Sequence, residues 1–590
     1  MKFEDLQAQT AACLAEVDTA RLLEYNREIA KEVRLSGSPE ELRSFTYVKE
    51  TLERFGLATN LMFCKAYISL PGEAQLRVNA ESFRCITHSM AASTPEEGIS
   101  AELVYVHKGI GEDYLHKDVK GKVALIDGLA VPGAVRLAQQ QGAAGAVFIN
   151  AGDYTHEMIV SPVWGNPTPE TVNRLPQIPV VSVNAADGRS IKLALSESTD
   201  RAAEVWMKTA TDTGWRDIPV LTADIPGTLE PDRFVLFSGH IDSWHYGAMD
   251  NGSANAVMVE VARILSAHRN QLRRSLRLAF WSGHSHGRYA GSAWYCDRHW
   301  EELHERCVLH VNIDSVGGQG ATVLSQSNCM AETKVLATNA VGPYSEEPYE
   351  GARYARAGDQ SFWGTGIPSL FMGLSEQPGL PDASASSFGG AKASGFGWWW
   401  HTTEDTLDKI DPDLLTRDCR IYLTTVLRAC AAAIIPVDQT AAVQELAGFI
   451  RSYQAKAADK LDWERTLTRL ATLEERVGEA ARIAESKELH PGQIQLMNQW
   501  SQDMSRLLIP VNYVRGDIFD HDAALRQDAI PSLAEVSLLS ETEAGSDEYY
   551  MLLTLLTRRL NRMNMHLKKA NQLTEALLHS LRTHTRGELR

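Results

Sequence analysis

The sequence contains no run of about 18 apolar residues, the length a membrane-spanning helix requires, so no membrane span is expected. It has no basic stripe. Fifty-eight Lys and Arg stand against 75 Asp and Glu, a formal net charge of -17, which argues against a nucleic-acid partner. The N-terminus, MKFEDLQAQTAACLAEVDTARLLEYN, lacks the basic-then-apolar order of a signal peptide, and the cytoplasm is the expected location. Eight cysteines (Cys13, Cys64, Cys85, Cys296, Cys307, Cys329, Cys419 and Cys430) form no CxxC pair and read as reduced core thiols. With 44% hydrophobic and 23% charged residues the composition is that of a globular protein, and 590 residues suggest three or four domains.

The most informative stretch is Phe234 to Leu265, FVLFSGHIDSWHYGAMDNGSANAVMVEVARIL. It reads as an apolar strand, a polar loop and an amphipathic helix. His240 ends the strand and Asp250 closes the loop, placing two metal-ligand types at its two ends. The helix carries Ala254, Val257, Met258, Val261, Ile264 and Leu265 on one stripe, which would pack on a sheet and fix the loop. Asp242, two residues past His240, faces the same side of an extended segment and can orient the His240 ring.

Residues 1–100 hold helices, one from about Asp18 to Val33 and one opened by Ser38 with Glu41 in capping-box spacing and ending near Gly56. Residues 101–222 change to short strands: AELVYVH, GKVALIDG, Ala146 to Ile149 after a helix ending at Gly142, and IPVVSV. Gly121 to Ile126, Gly142 to Asn150 and Ile178 to Val181 resemble the protease-associated insert domain of exopeptidase families, which implies a lid or substrate-funnel role. Residues 223–437 alternate strands (RFVLFSGHID, Leu276 to Trp281, CVLHVNIDSVGG, GIPSLFMGL) with helices, the pattern of a largely parallel sheet covered on both faces. Ligands of such sheets bind off the carboxyl ends of the strands, where His240, His284, His286 and Asp314 fall. Residues 438–590 read as a helical bundle with a dimerisation character.

Asp314 ends a buried strand, where a carboxylate is costly unless paired or metal-bound. His401 follows Trp398, Trp399 and Trp400 and opens HTTEDTLDKID. The set GHIDSW, MDNGS, VNIDS and HTTEDTLDKID, in that order, resembles the di-zinc exopeptidase family of aminopeptidases, glutamate carboxypeptidase and the transferrin receptor. The order of parts, and LLIPVNYVRGDIFDHDAAL in the helical segment, resemble the glutamate carboxypeptidase and transferrin receptor branch. The resemblance implies an α/β fold: a mixed, mostly parallel sheet sandwiched by helices, an inserted protease-associated domain and a helical C-terminal domain. It implies zinc, one or two ions. His240, Asp250 and Asp314 match the first metal site, Asp250 the bridging carboxylate, His401 the second site and Asp242 the residue that steadies His240. Gly358-Asp359 stands where the family has a Gly/Ser-Asp pair.

The departure from the family is a missing Glu-Glu pair. Where the family has its general base and second-metal ligand, this chain reads Trp281-Ser-Gly-His284-Ser285-His286-Gly-Arg-Tyr-Ala-Gly-Ser292. Aligned from Trp281, His284 and Ser285 take the two Glu positions; aligned from Gly291-Ser292, Ser285 and His286 take them. Imidazole is a good zinc ligand and serine a poor one, so one of the two histidines is expected as ligand, with His286 named for it, and the other as base. Losing a carboxylate favours a weakened second metal or a mononuclear site. The expected function is a metal-dependent hydrolase of a peptide or amide bond in a small substrate, with a homodimer through the helical domain. The alternatives are a non-catalytic receptor of the transferrin receptor type and an amidase acting on a non-peptide amide. Arg353 and Arg356 lie near the region of the family's arginine cluster, but Gly379 to Trp400 has only Lys392, which argues against glutamate specificity. Phe396 and Trp398 to Trp400 suggest an aromatic or apolar pocket.

Overall fold

The computed structural model describes residues 3–79, 81–197, 203–371, 373–379, 395–486 and 489–587. Lys392 lies outside them. Among the described residues twelve strands form the sheet system: β1 (Ala58–Val78), β2 (Glu81–Phe83), β3 (Ile86–Thr87), β4 (Ile99–Tyr105), β5 (Val123–Asp127), β6 (Gly145–Ile149), β7 (Val180–Val183), β8 (Glu204–Ile225), β9 (Glu230–His240), β10 (Arg274–Trp281), β11 (Cys307–Asn312) and β12 (Ser369–Leu370). The order is β12-β11-β9-β10-β8-β4-β5-β6-β7-β3, with β1 along β8.

β9, β10, β11 and β12 run parallel, as do β4 to β7. The 22-residue β8 joins the two groups: Leu221 to Ile225 pair with β10 and Glu204 to Met207 with β4, all antiparallel. β1 pairs with β8 over nearly its whole length. The sequence reading missed this ribbon. Most of its residues alternate between buried and exposed, and its one continuously buried run, Ile218 to Ala223, lies at the end of β8 that meets β10.

β9 is a continuous apolar run because helices cover both its faces: Phe234, Val235, Leu236 and Phe237 are all buried. The helix after the loop, Ala254–Ala267, corrects the amphipathic expectation. Ala254, Val257, Val259, Val261 and Ile264 are fully buried on every side, since the helices Thr19–Ile29 and Pro412–Ala431 cover what the sheet leaves. Its one buried acid, Glu260, accepts from Arg263 Nε (2.8 Å) and from the Asp18 amide (3.0 Å). Ser38 Oγ accepts from the Glu41 amide at 3.1 Å as expected, but Glu41 turns its carboxylate to the Gly37 amide at 2.7 Å. The C-terminal helical segment opens with two helices, Gln439–Ala457 and Glu464–Ser486. Helices Pro491–Tyr513 and Asp547–Gly587 complete the C-terminal segment with a separate apolar core. Among the described residues no helix is long and apolar enough to cross a membrane.

The parallel strands end together, so His240, the turn after Trp281 and Asp314 share one edge of the sheet. Phe237, on the strand that carries His240, stacks on Tyr422 with ring centroids 5.7 Å apart. Phe237→Ala should cost about 3–5 kcal/mol and lower the thermal unfolding midpoint; an unchanged midpoint would show that the sheet does not depend on this contact.

Candidate metal centre

His240 is the last residue of β9 and fully buried. Its Nδ1 lies 2.9 Å from the Asp242 carbonyl oxygen, which can only accept, so the ring proton is on Nδ1. Its Nε2 then presents a lone pair, 3.2 Å from Asp250 Oδ1 and 3.4 Å from Asp314 Oδ2. His401 repeats the pattern. Its Nδ1 donates to the Glu157 carbonyl at 2.6 Å, and its Nε2 faces Asp250 Oδ2 at 3.0 Å. His284 does so as well: Nδ1 meets Asp359 Oδ2 at 2.7 Å, while Nε2 faces Asp314 Oδ2 at 3.8 Å. The His284 ring lies parallel to that of His240, centroids 3.7 Å apart.

Three imidazoles therefore point lone pairs at two carboxylates. Acceptors facing acceptors in a buried site repel unless a cation lies between them. His240 Nε2 and Asp250 Oδ1 are buried with no hydrogen-bond partner among the described residues, as a ligand position requires. Burial alone would lower the His240 pKa, yet Asp314, Asp242 and Asp250 raise it well above the usual imidazole range. A proton is thus the substitute for a cation here. His240, His284 and Asp314 bring one ligand atom each within 4.8 Å of one another. With Asp250 beside them this nitrogen and oxygen set fits zinc or a similar divalent ion. Around His401 the set is thinner. Beyond Asp250, His401 Nε2 meets only the indole N–H of Trp244, at 3.1 Å, which is no ligand.

The loop is held from outside. Arg34, fully buried, donates to the carbonyls of Ile241 (2.8 Å), Tyr246 (2.7 Å) and Gly247 (3.1 Å). Gly247 has φ 55°, and a Cβ there would lie 2.2 Å from the Asp250 carbonyl oxygen. Asp405 accepts from the Met249 amide at 2.8 Å and the Asp250 amide at 3.0 Å. Burial, with the Asp250 charge added, pushes its pKa up to about 7 against those hydrogen bonds. Asn251 ties the turn to the third strand, donating to the Ile313 carbonyl and accepting from the Ser315 amide at 3.0 Å. Arg34, Asp405 and Asn251 were not picked out from sequence; Asp405 stood inside HTTEDTLDKID, but Arg34 is more than 200 residues from the loop it holds.

Two expectations change. Asp242 reaches His240 chiefly through its backbone carbonyl; its carboxylate Oδ1 is 3.5 Å from the ring. That carboxylate instead accepts from Ser36 Oγ (2.6 Å) and the Ser285 amide (2.9 Å), and so positions the turn bearing His284. His286 does not join the cluster as the ligand expected. Its Nδ1 is tied to Ser36 Oγ at 2.9 Å and its carbonyl accepts from the Ser69 amide of β1 at 2.9 Å, which turns the ring against Trp244. Ser285 Oγ is buried without a partner among the described residues.

A cavity of about 310 Å³ opens onto Asp250, His284, Asp314 and His401. Met158, Ile159, Phe396 and Trp400 give it an apolar wall. Trp400 also stacks on His401 at 3.4 Å, whereas Trp399 donates to Met249 Sδ in the core and Trp398 is half exposed against Tyr154.

Residues 221–426 match the model for Peptidase family M28 and residues 99–191 that for the PA domain. The chain is 27% identical over 366 residues to "Probable glutamate carboxypeptidase VP8" of Zea mays, covering 50% of this chain and 51% of that protein. It is 28% identical over 232 residues to "Carboxypeptidase Q" of Xenopus laevis, covering 37% of this chain and 47% of that one. The chain thus spans about half the length of these relatives. "Aminopeptidase YwaD" of Bacillus subtilis is 23% identical over 412 residues, 67% of this chain and 81% of that one. In fold, the chain is similar to an aminopeptidase from Aneurinibacillus (TM-score 0.52, 22% identity, 72% of this chain and 96% of that one) and to a peptidase M28 precursor from Shewanella amazonensis (TM-score 0.57, 18% identity, 73% and 97%).

Asp405→Ala should free the Met249 and Asp250 amides and weaken metal binding by about 10–100-fold, measured by competition with a chromogenic chelator; unchanged affinity would show that Asp250 holds its place without Asp405.

Proposed function

We propose that this chain, built on a Peptidase family M28 domain with a PA domain insert, is a metal-dependent hydrolase that cleaves a peptide or amide bond of a small substrate. The observation that carries the reading is the convergence of imidazole lone pairs and carboxylates at the mouth of a small, apolar-walled cavity. His240, Asp250 and Asp314 would hold the ion, with His401 on the far oxygen of Asp250. A divalent ion there supplies Lewis-acid polarisation of the scissile carbonyl and acidifies water.

The chain's own residues supply the proton traffic. His284 lines the cavity, and its Nδ1–H is held by Asp359. Its Nε2 is therefore free to take a proton from the attacking water as oxygen bonds to the carbonyl carbon. The same nitrogen returns that proton to the amine as the C–N bond breaks. Asp359 is buried and also accepts from Ser292 Oγ at 2.7 Å, so it fixes the ring without leaving its place. Glu157, from the PA segment, sets the tautomer of His401, and Trp400 and Phe396 keep the cavity dry. A second reading, His284 as an additional metal ligand, is favoured by one ligand atom each of His240, His284 and Asp314 lying within 4.8 Å of one another. Homodimerisation through residues 438–590 is proposed on the resemblance of that segment.

Turnover of a panel of dipeptides, N-acyl amino acids and non-peptide amides by zinc-loaded protein tests the function; no turnover of any would favour the non-catalytic receptor reading. His284→Ala should lower kcat/KM by about 10²–10⁴-fold while bound metal is retained; metal lost in parallel would make His284 a ligand. His286→Ala should keep both metal and rate within a few-fold, and loss of either would restore His286 to the site.

A further inference from the structure

The segment that matches the PA domain meets the site at a second place, away from Glu157. Trp164 lies in that segment and is buried. Its ring packs at a tilt on Tyr289, centroids 4.3 Å apart, and the Arg356 guanidinium lies 3.7 Å over it. From there a line of hydrogen bonds runs to the imidazole assigned as base. Trp164 Nε1 donates to Ser361 Oγ at 2.9 Å. Ser361 Oγ lies 2.9 Å from Ser292 Oγ, and Ser292 Oγ lies 2.7 Å from Asp359 Oδ1. Asp359 Oδ2 meets His284 Nδ1 at 2.7 Å. Ser361, Ser292 and Asp359 are buried like Trp164, so water does not compete for these contacts.

The two ends of the line fix its direction. An indole nitrogen can only donate and a carboxylate can only accept. With the indole on its oxygen, Ser361 has one acceptor for its own proton among the described residues, Ser292 Oγ. Ser292 then sends its proton to Asp359 at 2.7 Å, in preference to the Tyr289 carbonyl at 3.2 Å. One carboxylate oxygen is thereby engaged, and the other is left to hold the His284 ring proton. Without the indole the two hydroxyls can turn round, with Ser292 donating to Ser361. Asp359 Oδ1 then loses its donor, and the carboxylate is free to swing away from His284.

The ring on which Trp164 packs reinforces the same end. The Tyr289 phenol oxygen accepts from the Gly358 amide at 2.9 Å, which fixes the backbone beside Asp359. The Tyr289 ring also meets that of His284 edge-on, centroids 4.9 Å apart.

We propose that Trp164 is a positioning residue for His284. The segment that matches the PA domain supplies the first donor of a one-way hydrogen-bond chain that ends on the base, so the base is aligned only while that segment is seated. The catalytic meaning rests on the hydrolase reading of His284; the coupling of Trp164 to the His284 ring does not.

The ring is therefore observed separately from turnover. In zinc-loaded protein with isotope-labelled histidine, the His284 Nδ1 proton, identified by its loss in His284→Gln, should be protected from solvent exchange in the magnetic resonance spectrum. Trp164→Phe keeps a ring on Tyr289 and removes the indole N–H; Ser361→Ala removes the next link. Each should broaden or abolish the His284 signal and leave those of His240 and His401 in place. On any amide that the native protein turns over, both variants should lower kcat by about 10–100-fold with KM and bound zinc unchanged. A His284 signal unaltered in either variant, an altered one with kcat unchanged, or no protected His284 signal in the native protein overturns the role given to Trp164. A His284 signal that responds to both variants in protein that turns over no amide leaves the coupling standing and overturns the hydrolase reading.

Discussion

Three imidazole rings at the carboxyl edge of the sheet are held in one orientation. Each has its Nδ1 proton engaged by an outer acceptor: the Asp242 carbonyl for His240, the Glu157 carbonyl for His401, the Asp359 carboxylate for His284. Each is thereby left with an Nε2 lone pair facing Asp250 or Asp314. Lone pairs set against carboxylates in a buried cluster are unfavourable by themselves, and among the described residues the Trp244 indole N–H offsets this at His401 alone of the three rings. A cation reverses the sign of every one of those contacts, which is why the same geometry reads as a metal centre and not as a core network.

Holding that arrangement takes contributions from the whole chain. Arg34, from the N-terminal segment, fastens the carbonyls of the loop after β9. Asp405 fastens its amides near Asp250 from the other side. The PA segment reaches in through Glu157, whose amide and carbonyl both bond to His401. The segment that matches the PA domain therefore bears directly on the imidazole and carboxylate cluster, as well as walling the cavity through Met158 and Ile159. The long β1–β8 ribbon joins the two parts, since β8 pairs with β10 at one end and with β4 at the other.

His240, Asp250, Asp314 and His401 were legible in the sequence because each stands at an abrupt change of pattern, three at strand or loop ends and one after a tryptophan run. The parallel sheet was legible for the same reason: strands buried on both faces leave apolar runs. The ribbon was not, because half-exposed strands alternate weakly. Nor was the difference between His284 and His286. Two residues apart, they are chemically equal in the sequence and an insertion leaves the alignment open. What separates them is tertiary: Asp359 takes one ring and Ser36 the other, whose backbone carbonyl is tied to β1. Arg34 was invisible because its meaning lies in what it touches, three carbonyls of a loop far along the chain.

The donor set supports one complete cation position, at His240, Asp250 and Asp314 with His284 beside them, and a thinner second one at Asp250 and His401. Titrating metal-stripped protein with zinc, and counting bound ions by mass spectrometry of the metal, tests this most directly. One tightly bound ion per chain, lost in His240→Ala, is the expected result. Two ions of equal affinity per chain, or one that survives His240→Ala, would contradict it.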